Sequence, residues 1–483
     1  MVFSDLFFLF AFLPAFILLY RLGAWFDKRQ SDDPTNPQMT CRNGVLVIFS
    51  LLFYAWGEPV YVLLMVVSVL INYWVGRWML VSSGGWRRLA LTVGLTANIA
   101  IIGVFKYAGF IAQSLCSLGI EMPVPSIALP IGISFYTFQS ISYLVDVYRG
   151  TSQPQRRYSD LLLYISMFPQ LIAGPIVRYD TVAREINSRK VTTQDVSDGV
   201  FRFLIGLGKK VIIANQFSDI AGEFLSAGAL GDLSASGAWV GILAFTFQIY
   251  FDFSGYSDMA IGIGRCLGFH FNENFDHPYC SRSITEFWRR WHMSLGSFFR
   301  DYVYIPMGGN RRHQVLNIMA VWFLTGLWHG ASWNFVMWGL YFGIILMIEK
   351  RLIMPRIDRL STPLLHVYAM FLVVCGWGIF YFDDLGQMRQ FFMALFGMGN
   401  GLWSFAAENA LRSNFWLWIA AILFSMPVRT LAGKIPHKIF RAGGGMALTT
   451  VMLTRMVVSA VLLVVSVALL IGATNNAFLY TRF

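Results

Sequence analysis

Val315–Ile348, VLNIMAVWFLTGLWHGASWNFVMWGLYFGIILMI, is an apolar run whose only titratable side chains are His329 and Tyr341. As one helix its roughly 34 residues would extend ~51 Å at ~1.5 Å per residue, far beyond the ~30 Å hydrocarbon layer, yet two full crossings need ~40 residues. The run must break or fold back. Gly330, followed by Ala331 and Ser332, is the expected place, because glycine tolerates the left-handed conformation that ends many helices. His329 then stands at a helix end at membrane depth, where an ionisable residue is a functional-site candidate by default. Its imidazole can act as a general base near neutral pH. The alternative is a histidine that only ties two helices together.

Charge on either side supports the fold-back. The basic stretch Arg282–Arg312 precedes the run, and Lys350, Arg351, Arg356 and Arg359 follow it. Both ends are therefore expected on the cytoplasmic side.

The same pattern holds along the chain. With 56% hydrophobic and 13% charged residues over 483 positions, the composition excludes an ordinary soluble protein, where the shares are nearer ~45–50% and ~25%. No polar segment is long enough to make a separate soluble domain, so residues 1–483 read as one all-α polytopic membrane domain. Val2–Leu22 has no basic residue before it and no small-residue cleavage signature, and is expected to be retained as a helix. The net charge of +11 is spread through short loops, as topology demands, and nucleic-acid binding is rejected. Cys41, Cys116, Cys266, Cys280 and Cys375 lack metal-ligand or disulfide-framework spacing, so no metal site is expected.

Loop charges give a provisional topology. Gly44–Val75 reads as a hairpin broken at Trp56-Gly57-Glu58-Pro59, between basic, cytoplasmic loops. Leu161–Val177, interrupted by Pro169 and Gly174-Pro175, reads as a re-entrant segment, tolerable only where protein or water covers its backbone. Trp239–Leu267 is expected to cross with a break near Ser254-Gly255, flanked by Asp252 and Asp258 as orienting groups. Phe415–Met426 returns to a basic loop holding Arg429, Lys434, Lys438 and Arg441, and Met452–Ile471 leads to an external tail.

A second constellation precedes the first. Ser283-Ile284-Thr285-Glu286 has the spacing of a capping box, with Glu286 expected to reach back to the Ser283 amide. On the wheel of the helix that follows, Phe287, Trp288, Trp291, Leu295, Phe298 and Phe299 gather on one side, with Arg289, Met293 and Arg300 opposite. That is the pattern of an interfacial amphipathic helix. His292 falls at the edge of its aromatic face.

These residues carry a family resemblance. Phe251-Asp252-Phe253-Ser254-Gly255-Tyr256-Ser257-Asp258, the run from Ser283 to His292, and Leu327-Trp328-His329-Gly330 together resemble the membrane-bound O-acyltransferases. The likeness is to the branch that acetylates alginate and peptidoglycan, and more distantly to the teichoic-acid D-alanyl transferase. Leu129–Phe138 and Leu171-Ile172-Ala173-Gly174-Pro175 add to it. The resemblance implies a ring of about 10–12 transmembrane helices around a thin wall, with re-entrant and interfacial helices. It also implies that His329 is catalytic, with His292 as the second active-site position; Trp328, Asn334, Asp252 and Asp258 stand beside them as possible supporting residues.

Acyl transfer from a thioester needs an acceptor oxygen deprotonated as it attacks and a donor for the developing oxyanion. His329 can do the first; His292, Asn334 or a backbone amide at the helix break can do the second. By family analogy the donor is acetyl-CoA and no cofactor is resident. The setting is then the bacterial cytoplasmic (inner) membrane, with lipids around the protein, a polysaccharide acceptor and external acyl-transferring or polymer-binding partners. Tyr480, in Phe478-Leu479-Tyr480-Thr481-Arg482-Phe483, is a candidate acyl acceptor, because a phenol placed outside by topology can form an ester. Thr481 stands where the branch often has an aromatic residue, and the competing role for Tyr480 is an interfacial anchor. Two rival functions stay open: a proton-coupled transporter or polysaccharide exporter, and a lipid or protein acyltransferase of the same superfamily.

Overall fold

The computed structural model describes residues 1–30, 39–172, 174–473 and 478–479, with the side chains of residues 358 and 428–448 left aside. Among the described residues the chain is helical, with no strand. Phe8–Gln30, Tyr61–Val81, Gly84–Ser117, Thr362–Tyr381 and Thr449–Ile471 are long and apolar enough to cross a membrane, and Thr40–Ala55 and Phe415–Ser425 are shorter apolar helices. The protein is an all-helical, multi-pass membrane protein.

Two compact units emerge, one made of Met1–Phe203 with Tyr256–Asn272, the other of Leu204–Gly255 with Glu273–Leu479. In the first, the hairpin expected around Trp56 forms from Thr40–Ala55 and Tyr61–Val81. The re-entrant stretch is a helix, Tyr158–Ser166, that stops at Met167 two residues before Pro169 and resumes as the single turn Phe168–Leu171. Leu161 to Ile172 is buried throughout, so protein covers the backbone that the interruption frees, as irregular structure at membrane depth requires. A buried Arg189 ties this unit together: its guanidinium donates to the Leu267 carbonyl at 3.0 Å and to Asn43 Oδ1 at 2.8 Å, and stacks on Phe269.

The second unit contains the run that decides the fold. It turns back as two helices, Gln314–His329 and Trp333–Ile348, each ~24 Å long at ~1.5 Å per residue and so shorter than the ~30 Å hydrocarbon layer. Glycines let their backbones touch: a Cβ on Gly326 would lie 2.3 Å from the Phe335 carbonyl oxygen, and one on Gly339 2.3 Å from that of Trp322. Small residues at a helix crossing serve this close approach. Gly330 ends the first helix for a different reason from the expected one. Its backbone is extended (φ −169°), not left-handed, and the residue is small because the Phe335 ring occupies the place of a Cβ.

Three other expectations are corrected. Ala235–Cys266 is one unbroken helix through Ser254-Gly255; Gly255 serves close packing instead, since its Cβ would meet the Gly206 carbonyl oxygen at 2.8 Å. The basic segment expected as a loop after Phe415–Ser425 is helical from Val428 and continues into the last spanning helix. Finally, the amphipathic helix is two helices, Ile284–Arg290 and Met293–Phe299, separated at Trp291 and His292. The wheel named the right inner face, because Phe287, Trp291, Leu295, Phe298 and Phe299 are all buried.

Candidate active site

His292 occupies the kink between those two helices in a left-handed conformation, φ 45° and ψ 53°. A non-glycine residue held there carries strain, which surrounding contacts must offset. They are visible on both sides. Upstream, Ser283 Oγ accepts from the Glu286 amide at 3.0 Å, while Glu286 Oε2 accepts from the Arg282 amide at 2.9 Å rather than from that of Ser283. The buried carboxylate of Glu349 completes the helix start, accepting from the Ile284 amide at 2.6 Å, the Thr285 amide at 2.8 Å and the Thr285 hydroxyl at 2.7 Å. An anion at a helix N-terminus satisfies orphan amides and complements the dipole.

Downstream, Asn274 starts the second helix. Its Oδ1 accepts from the Ser294 amide at 3.2 Å and hydroxyl at 2.8 Å, and its carbonyl oxygen accepts from the Met293 amide at 3.0 Å. The Ser294 backbone N–H can only donate, which fixes the oxygen of the Asn274 amide on that side. His292 Nδ1, 3.1 Å from the same oxygen, must then carry its ring's proton. Nε2 is left as the basic nitrogen. This residue lies outside the spanning helices, and burial pushes its pKa down to about 3, so the ring is neutral at physiological pH.

His329 is the last residue of its helix and is buried. Aromatic rings hold it: Trp328 at 4.9 Å, Trp338 at 4.8 Å and Phe380 at 5.2 Å between centroids. Trp328 also faces His292 at 5.7 Å, so one indole lies against both imidazoles.

Both histidines line a single, mostly apolar cavity of about 200 Å³, with Trp288, Trp291, Trp322 and Thr325 in its walls and Arg300 and Tyr304 among its lining residues. The histidines are buried, whereas Gly296 and Arg300 are exposed, so the cavity opens to solvent near Arg300 and closes on the imidazoles. Two polar groups in the wall behave differently. The Thr325 hydroxyl donates to its own helix, to the Val321 carbonyl at 2.7 Å. Trp288 Nε1 is buried with no hydrogen-bond partner among the described residues. At the opening, Asn310 Oδ1 accepts from Tyr304 at 2.8 Å and from Lys350 at 2.9 Å. Burial and the neighbouring Arg289 lower the Lys350 pKa, and Arg300 at the opening is paired with Asp301 at 2.7 Å.

Of the residues singled out by sequence, His292, His329 and Trp328 are brought together. Asn334 is fully buried but is not part of the cavity lining, and its amide nitrogen faces the Phe380 carbonyl oxygen at 3.5 Å. Asp258 is paired with Arg202 at 2.9 Å in the first unit, and Asp252 with Lys210 at 2.8 Å in the second; neither lines the cavity. Tyr480 lies outside the described residues. Sequence reading missed Asn274, Glu349 and Trp288. Glu349 sits beside Lys350 and Arg351 and reads as a loop charge, and nothing near Asn274 marks it as the partner of a residue 18 positions away.

Comparison with known proteins bears on this site. Residues 157–384, which include both histidines, match the membrane-bound O-acyltransferase family. The chain is 40% identical to the probable alginate O-acetylase AlgI of Azotobacter vinelandii over 90% of its own length and 85% of that protein's. It is 36% identical to the peptidoglycan O-acetyltransferase of Helicobacter pylori, with 72% and 70% covered. Similarity to the teichoic acid D-alanyltransferase of Bacillus subtilis is lower, 27% identity over 54% of this chain and 72% of that one.

Proposed function

The chain belongs to the membrane-bound O-acyltransferase family, and from that premise we propose that it takes acetyl groups from a cytoplasmic thioester, acetyl-CoA, and passes them outward for O-acetylation of an alginate-like or cellulose-like exopolysaccharide. Its place is the bacterial inner membrane, and an external acyl-transferring protein completes the delivery to the polymer. The observation that carries this reading is the pair of buried imidazoles at the closed end of one cavity whose open end is lined by Arg300 and Tyr304. A polyanionic donor suits that rim, and a short acetyl thioester suits an apolar channel of this volume.

In this reading His329 removes the proton of the acceptor hydroxyl as its oxygen attacks the thioester carbonyl carbon. The C–S bond then breaks and the departing thiolate takes that proton from His329. Trp288 Nε1–H is the wall donor for the oxyanion. His292, neutral and basic at Nε2, orients the acceptor rather than stabilising the oxyanion. Tyr480 is the first acceptor, its phenol carrying the acetyl group as an ester for the external partner.

Membranes holding the protein, given radiolabelled acetyl-CoA, its external partner and deacetylated polymer, test this. Label should enter the polymer with the wild type and not with His329→Ala at equal protein level. Near-wild-type transfer by His329→Ala would overturn the catalytic assignment. Label recovered in lipid would favour a lipid acyltransferase, and loss of polymer export by whole cells carrying that variant would favour an exporter.

A further inference from the structure

One buried ion pair has no part in the cavity. Lys210 Nζ lies 2.8 Å from Asp252 Oδ1, with side-chain exposures of 5% and 2%. The close approach at Gly255, whose Cβ would meet the Lys210 amide nitrogen at 3.2 Å, brings these two segments together. A buried carboxylate needs hydrogen-bond donors at both oxygens. The second is supplied from far along the chain: the Leu479 amide donates to Asp252 Oδ2 at 2.7 Å. Phe478 and Leu479 are buried there, 1% and 7% exposed. The Phe478 ring packs on Phe253 at 6.4 Å, and Phe253 meets His292 edge-on at 4.7 Å.

We propose that Lys210 and Asp252 form a buried seat for the segment Phe478-Leu479, which they hold against Phe253 beside His292, and that both are positioning residues for acyl transfer. Lys210 fixes the carboxylate, the carboxylate accepts the Leu479 amide, and Phe478 fills the space over Phe253. The seat stands on these contacts alone; its consequence for transfer rests on the proposed function, in which the adjoining Tyr480 receives the acyl group.

The test separates the two. Hydrogen exchange on the full-length protein in nanodiscs reads the seat directly. In the wild type the Leu479 amide should exchange at least about tenfold more slowly than an unprotected amide. Asp252→Leu/Lys210→Met removes both charges at similar shape, leaving no unpaired buried ion. That variant should lose Leu479 protection while the helix Ala235–Cys266 keeps its own. Unprotected Leu479 in the wild type, or unchanged protection in the double variant, overturns the seat.

Leu479→Pro removes the donating N–H, along with the leucine side chain and the freedom of φ, and leaves both ion-pair residues in place. In the acetyl-transfer assay it and the double variant should lower kcat at least about tenfold with the KM for acetyl-CoA unchanged. A merely structural defect would instead lower yield and alter both constants. A confirmed seat with undiminished kcat would overturn the positioning role alone, and a wild type without acetyl transfer would overturn the function while sparing the seat.

Discussion

The wall that carries His292 is clamped by hydrogen bonds, whereas the hairpin that carries His329 is held by shape. Ser283, Glu349 and Asn274 each accept from backbone amides on the first wall, so its short helices keep a strained kink and a defined imidazole tautomer. The hairpin has glycines in backbone contact and rings around its histidine. Polar clamps fix where protons sit. Packing fixes position, and in the proposed function it is the His329 ring that exchanges a proton with the acceptor. The contrast matches the proposed division of labour, in which one histidine orients and the other transfers a proton. Of the five π-helical stretches among the described residues, three, Lys209–Ala214, Arg300–Tyr304 and Glu349–Ile353, carry Lys210, Arg300 and Glu349, and two, Phe8–Phe12 and Gly103–Tyr107, lie away from these residues in sequence. Such bulges often mark functional positions.

The largest expected effect breaks the packed side. Gly339→Val puts a side chain 2.3 Å from the Trp322 carbonyl oxygen, and backbone cannot give way, so a loss of about 3 kcal/mol or more is expected. Thermal unfolding in detergent should show it, and an unchanged midpoint would mean that the hairpin is looser than its glycines suggest. Next comes the clamped side. Asn274→Ala removes the acceptor shared by His292 Nδ1 and Ser294, at about 1–3 kcal/mol. It should reduce kcat roughly tenfold to a hundredfold, with the KM for the donor nearly unchanged, and steady-state acetyl transfer measures both.

Glu349→Gln is subtler. The amide keeps one acceptor oxygen but presents an NH2 group to a helix start, and about 1–2 kcal/mol should be lost. Activity should fall less than in Asn274→Ala, because the cap acts on the helix and not on the ring. The smallest effect sharpens the assignment of roles. His292 has a folded pKa near 3, below the unfolded value near ~6.5, so the unfolded chain binds more protons between the two. Its contribution to stability is full above about pH 6.5 and declines as pH falls toward 3. An acid limb of activity between about pH 5 and 8 therefore belongs to another group, and His292→Asn should leave its midpoint in place. A shift of that midpoint would return His292 to proton transfer.

The fold-back at His329 was legible because hydrophobic length and flanking charge are one-dimensional facts. The kink at His292 was not. A helical wheel assumes continuity, and Trp291-His292-Met293 contains no glycine or proline to deny it; the break is imposed by Asn274 and Glu349, which reach the segment only through the fold. Gly255 shows the converse error, since a glycine read as a break is a contact surface inside an unbroken helix. Asp252 was visible as a buried acid in an apolar helix, but its partners Lys210 and Leu479 lie 42 and 227 positions away, beyond any local pattern. Asn334 was visible as a polar residue in an apolar run, but burial by itself does not aim a side chain into a cavity, and Asn334 is not among the lining residues.

The most direct measurement is a cryo-electron microscopy structure of the protein with a non-transferable acetyl-CoA analogue. Density should enter between Arg300 and Tyr304, follow the wall of Trp288 and Trp322, and bring the thioester carbonyl close to His329, with His292 on the opposite side. An analogue bound anywhere else, or a cavity that stays closed to it while transfer proceeds, would contradict the assignment of the two histidines to one acyl-transfer site.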